Sequence, residues 1–394
     1  MPEAAAYPLA TDSWDDAELA AIARVVQSRR FTMGPEVKAF EEEAAAWFGT
    51  RHALMVNSGS SANLLAVAGL IYHPDELLGL GDEVLVPAVS WSTTYYPLHQ
   101  YGLKLRFVDI DRDTLNLNLD LLEGALTPRT RAVMAVNLLG NPIDLVRLAD
   151  FCGRHDLQLI EDNCESMGAT VGDRQAGTWG RCGTFSTFFS HHISTMEGGF
   201  ILTDDTPLYN VMTSLRAHGW VREQPQDTHL EIPSDDFMRM FRFVLPGYNL
   251  RPLEMSGAVG REQIKKLASI VAERRANAAR FRAHCGNIEG IRLQMETGQS
   301  SWFGFSMVLE ERLAGRRSEL VELLGAARID CRPIVTGNFL LNPVIRYFDY
   351  SVAGPTPIAE EIDANGLFVG NHSYDIGEAL VRLGQLLRSF SKSI

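Results

Sequence analysis

Short apolar runs alternate with helical patterns along the first half of this chain. Seven runs between positions 53 and 203 are rich in aliphatic, β-branched or aromatic residues, which predicts short buried strands. The predicted strands are 53–57, 83–87, 105–108, 132–137, 157–161, 184–189 and 200–203. Helical stretches lie between most of them, at 61–71, 92–100, 119–126 and 142–155. The alternation predicts an α/β fold whose mainly parallel sheet is covered by helices on both faces.

Two helices are predicted before the first strand. Ser13 and Asp16 have the spacing of a capping box at the start of an amphipathic helix. Gly34-Pro35 then breaks the chain, and a second amphipathic helix follows and ends at Gly49.

The last third of the chain has a different pattern. A long helix is predicted from residue 253 to about residue 285, followed by a strand at 302–309 and helices at 312–327 and 376–390. We therefore expect two domains, a large one of residues 1–260 that contains the parallel sheet and a smaller α+β domain of residues 261–394.

Composition and charge narrow the class of protein. Hydrophobic residues make up 46% of the 394 positions and charged residues 22%, which is ordinary for a globular protein. The net charge of −13 argues against nucleic-acid or membrane partners, although a local basic pocket for phosphate remains possible. No apolar run approaches the roughly 18 residues of a membrane helix. Residues 1–6 have no basic segment, so we expect no secretory signal.

The cysteines are scattered and odd in number: Cys152, Cys164, Cys182, Cys285 and Cys331. None forms a C-x-C or C-x-x-C pair with another. This spacing predicts free thiols in a reducing cytoplasm and no metal site.

The stretch from Phe185 to Gly199 is the strongest candidate for chemistry. An apolar strand breaks there into small polar residues around His191 and His192, and a Gly pair then leads into the next strand. Polar turns at the carboxyl ends of strands are where α/β proteins bind ligands. Taken alone, the two histidines could equally be a hydrogen-bonded pair in a loop.

Two further turns carry polar groups after predicted strands. Gly59 and Ser60, within N-S-G-S-S-A-N, let backbone amides approach a phosphate at a helix N-terminus, or form a serine-rich helix cap. Asp162 and Glu165, within E-D-N-C-E-S, follow a buried strand. An aspartate there could hold the protonated nitrogen of a pyridine cofactor, or could be a solvated loop acid.

Three other residues are weaker candidates by themselves. Trp91 follows a strand and could stack on a flat ring or belong to the core. Ser186 could donate to a phosphate or bond to its own backbone. Asn249, in the turn G-Y-N-L-R-P, could contact phosphate or cap the long helix.

Together these motifs resemble the sugar aminotransferases of the DegT/DnrJ/EryC1/StrS family. The strand–SGS–helix, Trp91, E-D-x-x-E, F-S-x-F-x-x-H, E-G-G and G-Y-N-x-R occur in that family's order and rough spacing, from about residue 12 to the end. The resemblance implies the aspartate aminotransferase (type I) fold, pyridoxal 5′-phosphate (PLP) as cofactor and nucleotide-linked keto sugars as substrates.

One position departs from the family pattern. Family aminotransferases have a lysine, which bonds covalently to the cofactor, where this chain has His191. Imidazole cannot form that bond, but it can move a proton. The phrases S-H-H-I-S-T-M-E-G-G, S-W-S-T-T and R-P-I-V-T-G-N-F resemble the 3-dehydratases of nucleotide-linked 4-keto-6-deoxy sugars, which use pyridoxamine 5′-phosphate (PMP). The scattered cysteines exclude the branch of that group with an iron–sulfur cluster.

The resemblance also implies roles for individual residues. It assigns the cofactor phosphate to Gly59, Ser60 and Ser186. It assigns the ring nitrogen to Asp162, the ring face to Trp91 and a place beside the ring to Glu165. Asn249 would reach the phosphate of a neighbouring subunit, so the active unit would be a homodimer with shared sites.

The expected reaction is removal of the C3 hydroxyl of a nucleotide-linked 4-keto-6-deoxyhexose. L-Glutamate would convert PLP to PMP, His191 would move the cofactor's C4′ proton, and ammonia would be released. His218 and Arg332 could contact substrate, or could be a structural hydrogen-bonding group and a surface charge. Another PMP-dependent elimination or an aminotransferase-like reaction on a nucleotide sugar stays open, as does a catalytically silent PLP-binding regulator.

Overall fold

The computed structural model describes residues 5–393. Two short ends lie outside the described residues. They are residues 1–4, part of the N-terminal segment where no secretory signal is expected, and residue 394, the last of the second predicted domain. The strands are β1 (His52–Val56), β2 (Glu83–Pro87), β3 (Lys104–Val108), β4 (Thr130–Val136), β5 (Gln158–Asp162), β6 (Thr170–Val171), β7 (Arg174–Gln175), β8 (Cys182–Ser186), β9 (Gly199–Thr203), β10 (Ile291–Leu293), β11 (Gly304–Leu309), β12 (Cys331–Arg332), β13 (Tyr350–Val352) and β14 (Gly366–Gly370). The α-helices are α1 (Asp16–Ser28), α2 (Pro35–Phe48), α3 (Gly59–Ile71), α4 (Ser92–Gln100), α5 (Leu122–Ala125), α6 (Leu145–Arg154), α7 (Thr206–Arg216), α8 (Asp236–Arg239), α9 (Glu254–Cys285), α10 (Arg317–Ala326), α11 (Pro357–Asn365) and α12 (Gly377–Lys392).

An eight-stranded sheet forms the centre of the fold, in the order β1-β9-β8-β5-β4-β2-β3-β13. All neighbouring pairs from β8 to β13 are parallel, and β9 runs antiparallel to both of its neighbours. The carboxyl ends of β1, β2, β4, β5 and β8 therefore meet at one edge of the sheet. The expected mainly parallel α/β sheet is confirmed.

Side chains on each strand alternate between two hydrophobic cores. On one face, Leu54 and Val84 pack with residues of α3, α4 and α7. On the other face, Met55 packs with α2 and α9, and Leu85 packs with α5 and α6. Because both faces are covered, the strands read as continuous apolar runs in the sequence.

A second, four-stranded antiparallel sheet has the order β10-β11-β14-β12. Its core contains residues of α9, α10 and α12. Two contacts join the C-terminal third of the chain to distant segments. β13 extends the large sheet as its edge strand beside β3, and Tyr7 near the N-terminus forms a bridge with Ile329.

The structure corrects several predicted boundaries. The capping box of α1 is formed by Asp15 and Glu18, since Asp15 accepts from the backbone while Glu18 bonds back to the amide of Asp15. Ser13, predicted as the cap, instead donates to Gln263 at 2.7 Å. The predicted strand 184–189 ends at residue 186, and the predicted helix 119–126 is a 3₁₀ turn followed by the four residues of α5. The Asp15–Glu18 box has a local spacing that the sequence shows, whereas the bond from Ser13 to Gln263 spans 250 positions and has no local signal.

A tight turn after β4 joins the two sheets. Leu139 and Gly140 both have positive φ angles, 54° and 90°. The carbonyl of Leu139 accepts from the amide of Phe303 and that of Gly140 accepts from the amide of Ser301, each at 2.9 Å. A Cβ on Gly140 would lie 2.5 Å from the backbone nitrogen of Trp302. The close approach of the two chains therefore requires glycine at position 140.

We predict that Gly140→Ala destabilises the protein by about 3 kcal/mol, because the new Cβ meets backbone that cannot move aside. Urea denaturation would show the loss as a lower midpoint. Gly153→Ala is the matched control, since a Cβ at that exposed helical position meets nothing within 4 Å and should change stability by less than about 1 kcal/mol. Equal midpoints for the two variants would contradict this account of the turn.

Candidate active site

A cavity of about 660 Å³ opens at the edge where the carboxyl ends of the parallel strands meet. Ser58 and Trp91 reach it from the turns after β1 and β2, and Asp162 and Ser186 reach it from the last positions of β5 and β8. Phe303, Asp330 and Arg332 line it from the second sheet and the segment before β11. The cavity thus lies between the two sheets.

The N-terminus of α3 faces this cavity. Ser58 caps the helix by accepting from the amide of Ser61 at 3.0 Å, so the first helical amides, those of Gly59 and Ser60, have no partner within the helix. A Cβ on Gly59 would lie 2.6 Å from the Cβ of Ser186. Glycine therefore lets the helix end approach Ser186, and the helical amides there are donors from which an anion could accept hydrogen bonds.

Asp162 lines the cavity and is only 5% exposed. Three hydrogen bonds fix its carboxylate. One carboxylate oxygen accepts from Asn63 Nδ2 and from Thr94 Oγ1, each at 2.8 Å. The other accepts from the amide of Cys164 at 3.1 Å. Asn63 in turn accepts from Thr184 Oγ1 at 2.6 Å, which fixes the amide that orients the carboxylate.

Asn63 and Thr94 were not among the site residues predicted from the sequence. Asn63 lies four positions after Gly59, and Thr94 lies three positions after Trp91, so each is one helical turn after a predicted site residue. Residues three or four apart share a helix face. The spacing was therefore a usable signal for side chains that face the same site.

The neighbouring carboxylate of Glu161 serves the fold instead. It points to the opposite face and accepts from the amides of Gly177, Trp179 and Gly180 at 2.6–2.7 Å. Burial raises its pKa to about 7. Of the two adjacent acids, only Asp162 lines the cavity.

Glu165 also lines the cavity, and its Oε2 accepts from the amide of Leu139 at 2.8 Å. Burial, with a smaller contribution from the charge of Asp162, raises the pKa of Glu165 to about 7. The carboxyl group therefore exchanges a proton near neutral pH, and its free oxygen can either donate or accept a hydrogen bond.

His191 presents its imidazole to the cavity. The ring lies 5.1 Å from that of Phe303 and 6.0 Å from that of Phe188, measured between centroids. Its Nδ1 is buried and has no hydrogen-bond partner among the described residues. Burial, and secondarily the charge of Arg274, lowers the pKa of His191 to about 4. The imidazole is therefore neutral at physiological pH and able to accept a proton.

His192 points away from the cavity. Its Nε2 lies 3.1 Å from the carbonyl oxygen of Ser301, and the residue is only 1% exposed. Burial holds the pKa of His192 well below its usual value. Of the two histidines, His191 is the one that lines the cavity.

The remaining candidates divide into two groups. Trp91, 56% exposed, and Arg332 line the cavity. His218 and Asn249 are not among its lining residues. The ring of His218 packs 4.7 Å from that of Trp220, and exposed Asn249 accepts from Arg251 Nε at 3.0 Å. Within a single chain, eight of the ten predicted site residues come together and these two do not.

No lysine reaches the cavity. The five lysines of the sequence, all within the described residues, are Lys38, Lys104, Lys265, Lys266 and Lys392. None of them lines the cavity. Lys266, for example, is bound to Glu18 at 2.7 Å. The chain therefore offers no amine there to bond covalently to a cofactor.

The described residues 5–393 contain no group of three or more metal-ligating side chains, and their five cysteines are free. No helix in this part of the chain is long and apolar enough to cross a membrane. The cavity's own groups fit a phosphorylated pyridine ring. They combine an anion site at a helix end, a buried carboxylate, an indole and an imidazole whose Nδ1 has no partner.

Comparison with protein families identifies the family of this chain. The model of the DegT/DnrJ/EryC1/StrS aminotransferase family matches residues 12–375. The chain belongs to this family. The resemblance inferred from the motifs is confirmed.

Relatives and solved structures define the position within the family. A GDP-4-keto-6-deoxy-D-mannose 3-dehydratase of Yersinia pseudotuberculosis is 52% identical, over 97% of this chain and 98% of the relative. The structure of the E. coli GDP-4-keto-6-deoxy-D-mannose-3-dehydratase with bound hydrated PLP superposes with a TM-score of 0.96 at 50% identity, covering 98% of this chain and all of that one. A GDP-4-keto-6-deoxymannose-3-dehydratase with a trapped PLP-glutamate geminal diamine superposes with a TM-score of 0.94 at 50% identity, over 97% of this chain and 100% of that one. The expected aminotransferase fold is confirmed.

Proposed function

We propose that this protein is a PLP- and PMP-dependent GDP-4-keto-6-deoxy-D-mannose 3-dehydratase. It removes the C3 hydroxyl of the nucleotide-linked sugar, uses L-glutamate to regenerate PMP and releases ammonia. The observation that carries this proposal is the imidazole of His191 in a cavity that no lysine of the chain lines. The relatives at 50–52% identity are named for this reaction and supply the substrate.

Each part of the cofactor has a group that would hold it. Gly59, Ser60 and Ser186 bind the phosphate, and Asp162 pairs with the ring nitrogen. Trp91 covers the ring face, and Glu165 lies beside the ring. Bound as PMP, the cofactor supplies an amine that condenses with the sugar ketone and a ring that accepts electrons.

His191 is the proton carrier in this proposal. Its neutral imidazole takes the proton from the cofactor's C4′ methylene. Because no lysine of the chain lines the cavity, the amine that would regenerate PMP has to come from outside the chain, and glutamate would provide it. Arg332, which lines the cavity, supplies a cation for the anionic groups of glutamate and of the nucleotide.

The proposal includes two domains with the site between them. Residues 1–260 form the cofactor-binding domain, because Gly59, Asp162 and His191 belong to it. Residues 261–394 form the smaller domain, which contributes Phe303 and Arg332 to the cavity.

A homodimer with shared active sites is part of the same proposal. Asn249 is exposed and outside its own chain's cavity, as expected of a residue that serves a neighbouring subunit. The nearby segment exposes Phe237, Phe241 and Phe243 by 74%, 63% and 52%, an apolar surface that a second copy would bury. We place the enzyme in the cytoplasm, since its five free cysteines fit a reducing compartment.

We predict that the protein, incubated with PLP, L-glutamate and a panel of GDP- and dTDP-linked 4-keto-6-deoxy sugars, deoxygenates the GDP-mannose derivative preferentially. Mass spectrometry would show loss of the 3-oxygen. Gain of an amine would indicate an aminotransferase instead, and the absence of turnover across the panel would favour a silent PLP-binding regulator. Preferential turnover of a dTDP sugar would overturn the assigned nucleotide.

We predict that His191→Asn lowers kcat by roughly 10²- to 10⁴-fold, the usual contribution of a general base, while PMP still binds. Product formation in quenched time-course assays would measure kcat, and PMP absorbance would measure binding of the cofactor. His155→Asn is the matched control, because it makes the same change at the C-terminal cap of α6 on the surface. A His191→Asn enzyme as active as this control would remove His191 as the base.

We predict that borohydride treatment of the PLP-loaded protein leaves no cofactor covalently attached, because no lysine lines the cavity. Intact-protein mass spectrometry is the measurement. A family aminotransferase with the lysine is the positive control, since the same treatment should fix its cofactor. A stable adduct on a lysine of this protein would contradict the untethered site.

A further inference from the structure

A chain segment next to His191 is held in an unusual way. Residues 299–303, which lead into β11 and are called here the 299–303 segment, run across the turn at Leu139 and Gly140 without forming a strand. Side chains from other elements bond to all five of its backbone carbonyls. The last residue of the segment, Phe303, lines the cavity beside His191.

Two arginines of α9 hold most of these carbonyls. Arg275 donates to the carbonyl of Ser300 at 2.9 Å and to that of residue 299 at 3.2 Å. Arg274 donates through one nitrogen to the carbonyls of Trp302 and Phe303, at 3.3 and 3.1 Å. Asn371 also donates to the carbonyl of Trp302, at 2.8 Å, so Arg274 is the side chain that holds the carbonyl of Phe303 and shares that of Trp302.

Arg274 is also an unusual buried charge. It is only 6% exposed, and its Nε has no hydrogen-bond partner among the described residues. Burial alone lowers the pKa of Arg274 to about 10, with no carboxylate counteracting it. A cation without an acidic partner is costly to bury, so a purely structural role explains it poorly.

The field of this cation falls on the neighbouring histidines. The charge of Arg274 lowers the pKa of His191, His192 and His372, in each case after the larger effect of burial. His372 is occupied by Thr11 and the carbonyl of Pro8, each at 3.0 Å. His191 is the one of the three that lines the cavity.

We propose that Arg274 is a positioning residue for His191. By bonding to the carbonyls of Trp302 and Phe303 it holds the Phe303 ring against the imidazole, 5.1 Å away between ring centroids. Its charge adds to the larger effect of burial in lowering the pKa of His191. The role in turnover rests on the proposed function, whereas the effect on the imidazole does not.

Several other titratable groups lie around the imidazole of His191. His192 is its neighbour on the same loop and is held uncharged by burial. The remaining titratable groups that line the cavity are Asp162, Cys164 and Glu165 after β5, Glu197 before β9, and Asp330 and Arg332 at β12. Carboxylates would favour the protonated imidazole, but the causes that lower the pKa of His191 are burial and the charge of Arg274.

The test compares Arg274→Gln, Arg274→Lys and, as the matched control, Arg275→Gln. Arg275 holds the same segment from the same helix, but its charge affects His192 and not His191. NMR of cofactor-free, histidine-labelled protein gives the titration of His191, assigned with His191→Asn. This measurement needs no catalysis, so it stays informative if the proposed function fails.

We predict that Arg274→Gln raises the titration midpoint of His191 by roughly half a pH unit or more, because protonation no longer meets a like charge. The acid limb of kcat/KM should move to higher pH by the same amount. Arg274→Lys keeps the charge and so the wild-type midpoint. It loses the paired carbonyl bonds, so its kcat on the neutral-pH plateau should fall roughly 10-fold or more, with KM little changed.

Two results would overturn the proposal. One is an equal titration midpoint of His191 in Arg274→Gln and in Arg275→Gln, which would show that the charge of Arg274 does not act on the imidazole. The other is a wild-type kcat in Arg274→Lys, which would remove the positioning effect. If thermal unfolding shows that Arg274→Gln does not fold, Phe303→Leu tests the ring contact: kcat should fall, and an unchanged kcat would count against the proposal.

Discussion

The contact between the turn after β4 and the 299–303 segment is the constraint on which the site depends. At this place the backbones of Gly140 and Trp302 approach so closely that no Cβ fits between them. The backbone of Leu139 serves both sides, since its amide donates to Glu165 and its carbonyl accepts from the amide of Phe303. One residue in a left-handed conformation therefore fixes an acid of the cavity and the aromatic ring beside His191. Such strain persists only where surrounding contacts determine it, and it is typical of functional sites.

Desolvation sets the chemical character of the cavity. The same burial that lowers the pKa of His191 to about 4 raises that of Glu165 to about 7, because it disfavours whichever form is charged. At neutral pH the imidazole is a free base, while the carboxyl group is poised between its two forms. An acid and a base thus coexist in one cavity without forming an ion pair. Pairs of groups whose environments shift their pKa values in this way are characteristic of enzyme sites.

The family scaffold is retained while one reactive group is exchanged. The supports around the site, such as Asn63 and Thr94 on Asp162, do not depend on the residue at position 191. Replacing an amine by an imidazole removes the covalent bond to the cofactor but keeps a group able to move a proton. The fold alone does not determine the reaction. In the proposed function, the imidazole at position 191 favours deoxygenation over amination because it moves a proton without bonding to the cofactor.

The sequence by itself determined the α/β alternation, because strands buried on both faces leave continuous apolar runs that can be read directly. It also determined the family and the exchange at His191, since these are properties of residue identity and order. The resemblance already favoured His191 over His192 and Asp162 over Glu161, and the tertiary structure supplied the physical reason, because only the favoured member of each pair lines the cavity. The tertiary structure alone brought Phe303 and Arg274 to His191, and it left Asn249 outside. These relations depend on the direction of side chains and on contacts across more than 80 positions of sequence, which no local pattern encodes.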